Sequence, residues 1–428
     1  MFILKTGTVM NKEILGTLIG QHKAEMVRLQ RLEDMYEGRH PILDQDAKAE
    51  FKPDNRLVAN FAKYIVDTLN GFFIGIPIKI SHENATIAEY VDFLDRYNSQ
   101  DDQNAELSKY CSVFGSCLEM YFMDESAQVG IKYVKPTEAF VVYDDSILHR
   151  PMYSVRYYTN TDGNVEGSFA DASNVYYFNA EYTIDTVNVG AHPFGGVPMV
   201  EYVENAERMG AFESVESLII AFDRALSEKA NDVDYYADAY LKVLGAVLDT
   251  ESLAQLRDNR IINLSSDYDK LDVGFLDKPD SDSTQEHLID RLEKLIFHLS
   301  MVANINDENF GDTSGVALKF KLQSMSNLAK TKERKFASGL TQRYKLIANV
   351  PVSKMGSEDW IMLNYKFTRN MPNNEKEESE VAKNLTGIVS KETQLTALSI
   401  IENVAGELER IKNESEAGAD TFARTPTI

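Results

Sequence analysis

The chain has 428 residues, with 44 Lys+Arg against 67 Asp+Glu and a formal charge of −23 at pH 7. That length suits two to three domains, and 43% hydrophobic and 26% charged residues with only 23 Gly and 11 Pro exclude a collagen-like or low-complexity chain. So acidic a balance also excludes a nucleic-acid grip over most of the surface, because cations are what release phosphate counterions. The only two cysteines, Cys111 and Cys117, suit neither a disulfide framework nor a zinc site and read as buried thiols in a reducing compartment. The first residues lack the basic and apolar regions of a signal peptide. The most apolar stretch, Leu69–Ile80, is interrupted by Pro77 and falls short of the roughly 20 residues that span a bilayer. No membrane contact is expected.

In chain order, residues 12–37 show helical spacing through Ile14, Leu18, His22, Met26, Leu29, Leu32 and Tyr36, and Gly38 is a stop. Residues 57–69 predict a second helix, 72–80 a strand, and 87–97 a third helix. From Tyr110 to Tyr202 the text turns β-branched and aromatic, with Asp162-Gly163 as a hairpin turn. Residues 211–245 then predict a long amphipathic rod. A second rod, 283–304, opens with the capping box Ser283-Thr-Gln-Glu286. Along it Leu288, Leu292, Leu295, Leu299 and Val302 keep a heptad-like spacing backed by Ile289 and Ile296, a packing face for a partner helix in this chain or another.

Between the rods, 246–282 reads as a small α/β lobe containing Asp267, Asp269, Asp272, Asp277, Asp280 and Asp282. It lacks a calcium-loop pattern, so a solvated acidic face is the reading. The loop 305–314 holds Asp307, Glu308, Asn309, Phe310, Gly311 and Asp312, and a long helix over 315–349 carries Lys319, Lys321, Lys330, Lys332, Arg334, Lys335, Arg343 and Lys345 against Glu333 alone. These cations suit a nucleic-acid stripe or an internal or intersubunit counter-charge equally. A strand follows at 361–367 and helices in 374–415.

Catalytic chemistry has no support in the sequence. The seven His are scattered without metal-ligand spacing, no phosphate-binding glycine loop occurs, and Ser314 in Gly311-Asp-Thr-Ser-Gly315 reads as a helix N-cap rather than a nucleophile. No metal or cofactor is expected. A cytoplasmic nucleic-acid-processing enzyme with an unrecognised site is the alternative reading.

The order of parts resembles the portal, or head-to-tail connector, proteins of tailed bacteriophages, of the siphophage type that infects Gram-positive hosts. The resemblance is carried by Met35-Tyr-Glu-Gly-Arg-His-Pro-Ile42, Asn60-Phe-Ala-Lys-Tyr-Ile-Val-Asp67 with Gly75-Ile-Pro-Ile78, Gly311-Asp-Thr-Ser-Gly-Val-Ala-Leu-Lys319, and Phe367-Thr-Arg-Asn-Met-Pro-Asn-Asn374. Leu385-Thr-Gly-Ile-Val-Ser-Lys-Glu-Thr393 and Glu407-Leu-Glu-Arg-Ile411 complete it. It implies a mainly helical α+β portal fold: a wing over 1–210 and 315–370, a stem of 211–245 and 283–304, a clip over 246–282, a tunnel loop over 305–314, and a short helical crown with a tail over 371–428. It further implies a dodecameric ring at one capsid vertex of the virion, assembled in the host cytoplasm, through which double-stranded DNA is packaged and ejected. Implied partners are the terminase, the major capsid and scaffolding proteins, and a head-completion adaptor. Asp307 to Asp312 would then face the channel, Asp267, Asp269, Asp272 and Asp277 would meet docking partners, and Leu288, Leu292, Leu295 and Leu299 would pack the stem.

Overall fold

The computed structural model describes residues 1–49, 52–237, 241–244, 272–275, 282–305, 320, 322–370, 375–398, 400–401 and 404–423. Asp267, Asp269, Asp277, the loop residues Asp307 to Asp312, and Ser314 lie outside the described residues.

Helix α1 (Lys12–Glu37) begins where Asn11 accepts a hydrogen bond from the Ile14 amide and ends at Gly38, whose φ of 85° only glycine adopts at little cost. Its first half covers a six-stranded sheet of order β1-β5-β6-β7-β8-β9. Strand β1 (Phe2–Leu4) runs parallel to β5 (Ala139–Asp144). The rest is antiparallel: β6 (Pro151–Thr159), β7 (Val165–Ala170), β8 (Asn174–Phe178) and β9 (Gly190–Ala191). Gly163, at φ 80°, lies in the turn joining β6 to β7, as the Asp162-Gly163 signal predicts. Leu15, Leu18 and Ile19 pack on Phe140, Val142, Val155 and Phe169. His22 is locked there, its Nδ1 2.7 Å from the Tyr157 hydroxyl and its Nε2 2.7 Å from the Pro136 carbonyl.

A second, larger core joins the other half of α1 to α2 (Phe61–Ile74), α3 (Ala85–Tyr97), α4 (Gln100–Phe114) and a three-stranded sheet, β10-β3-β4 (Met199–Val203, Ser116–Met123, Val129–Val134). Two expectations are corrected here. Residues 72–74 continue α2 rather than starting a strand, because Phe72, Phe73 and Ile74 fall on its buried face; the strand, β2, is only Lys79–Ser81 and pairs with β13 (Asn364–Lys366). The β-rich region starts at Ser116, since Tyr110 to Phe114 close α4. At the α4 terminus Gly115 has φ 88°, and a Cβ there would lie 2.0 Å from the Arg208 carbonyl oxygen.

Beyond β10, α5 (Glu216–Ala237) stops short of the expected 245, and Leu241–Leu244 forms strand β11, antiparallel to β12 (Asp272–Phe275). Asp272 is thus the first residue of β12. Helix α6 (Asp282–Ser300) also ends earlier than 304: Met301 takes φ 60°, and the chain turns so that Val302 is buried. Helix α7 (Gln323–Ala348) crosses β10 so closely that a Cβ on Gly339 would meet the Tyr202 ring at 2.3 Å. Helices α8 (Glu375–Asn384), α9 (Lys391–Thr396) and α10 (Val404–Ala423) close the chain.

Candidate functional site

The rod of α5 and α6 is the feature that most distinguishes this fold, and it is built from the foot upward. On α5, Asp223, Ser227 and Asn231 recur every four residues, a rise of about 6 Å per step. Their oxygens accept the backbone amides of Ala59 at 2.8 Å, Leu57 at 2.9 Å and Asn55 at 2.6 Å. Those amides belong to an extended strap running the opposite way, which advances about 6.6 Å per two residues. The near-equal steps let a strand be hydrogen-bonded by helix side chains alone, satisfying backbone donors that have no sheet partner. The lowest rung is fixed by His40, whose Nδ1 is 2.5 Å from Asp223 with both side chains buried, and whose Nε2 is 3.0 Å from the Met35 carbonyl.

The rod itself is antiparallel, since Gln285 donates to Asp232 at 2.8 Å, Lys229 pairs with Glu286, and Phe61 wedges between Phe222 and Phe297 at ring separations of 4.9 and 5.6 Å. At 22 and 19 residues the helices are roughly 33 and 28 Å long. The heptad expectation is corrected by one position. Ile289, Leu292 and Ile296 are buried, whereas Leu295 is half-buried and Leu288 and Leu299 are 51% and 52% exposed. The isoleucines turn that face inward, and Leu288 and Leu299 are left exposed, as is Val233 of α5.

Beneath α7 lies a buried charge hub. Arg343 and Glu119 are both fully buried and bidentate, at 2.9 Å from Nε and 2.7 Å from Nη2. Glu119 also accepts the Tyr121 hydroxyl at 2.5 Å, the Tyr202 hydroxyl at 3.1 Å and the Gln100 amide at 3.3 Å, while Arg343 reaches Asn104 at 2.6 Å. Further along α7, Lys332 pairs with Glu204 at 2.8 Å and donates to the Ser108 carbonyl and the Ser112 hydroxyl. Burial pushes the Tyr121 and Tyr202 phenols well above their ordinary range, so both remain donors. It raises the Cys111 and Cys117 thiols likewise; both are free and buried. Burial also lifts the Asp95 carboxyl to about 6, against the opposing pull of Arg343.

The basic run on α7 therefore divides. Lys332 and Arg343 are internal counter-charges, whereas Lys330, Arg334 and Lys345 are exposed and Lys335 is half-buried; Lys319 and Lys321 lie outside the described residues. Among the described residues no group of three or more His, Cys, Asp or Glu side chains could hold a metal, and no helix is long and apolar enough to cross a membrane. The strap and the hub escape a reading by apolar periodicity, although Asp223, Ser227 and Asn231 are visible as a polar i, i+4, i+8 series.

Residues 15–421 match the family model described as phage portal protein, SPP1 Gp6-like. The portal protein of Clostridium phage phiCD119 is 24% identical over 420 residues, covering 89% of this chain and 91% of the relative. That of Bacillus phage SPP1 is 24% identical over 399 residues, covering 86% and 78%. Among solved structures, the neck of an empty gene transfer agent (GTA) particle aligns with a TM-score of 0.47 at 10% identity, over 78% of this chain and 89% of that one. A chain of the native GTA virion aligns with a TM-score of 0.44 at 10% identity, over 86% and 92%. With the family match running over nearly its whole length, this chain belongs to the SPP1 Gp6-like phage portal proteins.

Proposed function

We propose that copies of this chain close into a dodecameric ring at one capsid vertex and form the channel for double-stranded DNA during packaging and ejection. In this reading α5 and α6 are the stem, 246–282 is the clip that meets the terminase and later the head-completion adaptor, 305–314 is the tunnel loop, 1–210 with 315–370 is the wing, and 371–428 is the crown. Major capsid and scaffolding proteins would surround the ring, which assembles in the host cytoplasm. The protein acts as a conduit, and the motor chemistry belongs to the terminase.

The observation that carries this reading is the rod: two antiparallel helices bracket the β11–β12 pair and leave Leu288 and Leu299 half exposed. Apolar flanks on a stiff rod suit repetition around an axis by heterologous contacts, which generate rings when the rotation closes. The acidic chain also suits a channel wall, because sparse cations let a duplex slide. Negatively stained images of concentrated protein and of capsids test it. Rings with a central hole are expected, and a two-fold dimer in both preparations overturns the reading. For the loop, replacing Asp307, Glu308 and Asp312 together by Lys is expected to leave ring formation intact and to stall packaging, read as nuclease-protected DNA.

A further inference from the structure

The outward face of α7 is chemically unlike the rest of this acidic chain. Lys330, Arg334 and Lys345 are exposed and lie within a sector of about 60° at 100° per residue. The other exposed residues of that helix are Ser, Thr, Asn and Gln, with no carboxylate among them. Lys330 and Arg334 have no ion-pair partner among the described residues. In the same way α3 carries an unpartnered outer face of opposite character: Glu89, Asp92, Phe93 and Tyr97 are exposed side by side, with Arg96 the single cation. Phe93 and Tyr97 have ring centroids 5.5 Å apart. The Tyr97 hydroxyl donates to Asp124, which joins this face to the β3–β4 turn with the exposed Glu125.

The two faces cannot meet within one chain. Ile87, Tyr90, Val91 and Leu94 on the inner side of α3 and Ala329, Phe336, Leu340 and Tyr344 on the inner side of α7 belong to one core. The outer faces of both helices therefore point away from that core. Opposite charges on two faces that point different ways suit a head-to-tail contact, whereas a two-fold contact, in which residue i meets j and j meets i, needs both patches on one side of the subunit. Exposed rings rimmed by carboxylates also suit Lys and Arg through cation–π contact as well as Coulomb attraction, and they do not suit a phosphate backbone.

We propose that the basic outer face of α7 docks on the acidic and aromatic outer face of α3 in an adjacent copy of this chain. This rests on the ring reading. It gives a strongly acidic subunit an attractive contact with its own copy that offsets part of the repulsion between like-charged neighbours.

The test is the oligomeric state, by sedimentation at low and high salt, of four chains: the wild type, Glu89→Lys with Asp92→Lys, Lys330→Glu with Arg334→Glu, and the combination of all four changes. All the altered side chains are exposed, and circular dichroism checks that each chain folds. Each reversal alone is expected to raise the concentration for half-assembly about tenfold or more, and the combination to bring it back to within about threefold of the wild type. Reversals that leave assembly unchanged at both salts overturn the proposal. A Lys330→Glu, Arg334→Glu chain that assembles normally but retains less duplex DNA in a salt-dependent way assigns the face to DNA and overturns it too. A wild type that stays monomeric at every concentration counts against the ring reading, and this interface falls with it.

Discussion

Glu119→Gln is expected to cost the fold more than Arg343→Met, although both break the same buried pair. Removing one member of a buried ion pair costs about 3–5 kcal/mol, because the other charge is left uncompensated. What each side retains decides where in that range it falls. Without Arg343, Glu119 still accepts from Tyr121 at 2.5 Å, Tyr202 at 3.1 Å and Gln100 at 3.3 Å. Its loss is near the lower limit, about 3 kcal/mol. Without the carboxylate, Arg343 is a buried cation with no anion: the Asn104 oxygen at 2.6 Å and one neutral amide oxygen shared with the tyrosine hydroxyls are what remain to accept from it, and its Nη1 is already buried without a partner. Here the cost approaches about 5 kcal/mol, a third or more of the stability of an ordinary domain. In the double variant the neutral side-chain amide that replaces the Glu119 carboxylate can still accept from the two tyrosines, so its cost should fall short of the sum of the two singles by about 2–3 kcal/mol. Urea unfolding followed by near-ultraviolet circular dichroism, which reports the tyrosines at the hub, measures all three. A loss below about 1 kcal/mol for Glu119→Gln, a reversed order, or simple additivity would refute the argument.

At Asp95, whose folded carboxyl titrates near 6 against about 3.9 unfolded, burial destabilises the charged form; the penalty is complete above pH 6 and absent below about 4. Asp95→Asn should therefore be more stable than the wild type by about 1–2 kcal/mol at pH 7, with the difference vanishing as pH falls to 4 in paired thermal melts. Asp223→Ala removes the acceptor of both His40 and the Ala59 amide; hydrogen exchange at Ala59 should speed up at least tenfold while β6 amides keep their protection, and an unchanged Ala59 rate would count against the strap. Gly115→Ala places a Cβ 2.0 Å from the Arg208 carbonyl oxygen at φ 88°, so soluble expression should be largely lost, whereas Gly163→Ala, at φ 80° with open space around it, should cost only about 1–2 kcal/mol. Cys111 and Cys117 should resist a thiol reagent in the native protein and react once it is unfolded; labelling at native rates equal to unfolded ones would contradict their burial.

How much of this was legible in the sequence depended on where the polar residues went. Helix α1, with Asn11 before it and Gly38 after it, and the Asp162-Gly163 hairpin follow local rules that tertiary structure did not override. Helix α4 was hidden because it buries Gln100, Gln103, Asn104, Ser108 and Ser112, so apolar periodicity finds no stripe there. The run 72–80 was misread because three buried residues in succession satisfy a helix end and a strand equally. On α6 the choice between the leucine and isoleucine rows turned on one helix position, which spacing alone does not settle. Of the basic run, Lys332 and Arg343 became internal because Glu204 and Glu119 wait opposite them, more than a hundred residues away in sequence.

That separation also sets an order of events in the cell. Glu119 and Arg343 are 224 positions apart, which at about 5–20 residues per second of synthesis is a delay of roughly 11–45 s. Within it the strands of the first core are completed, but the seat of α7 is open and contains carboxylates without their cations. Both rod helices leave the ribosome within this interval, before the body that must anchor them has closed. Translation thus acts as a timer: α7 completes the subunit late, and its outward cations arrive on the same helix that closes the core.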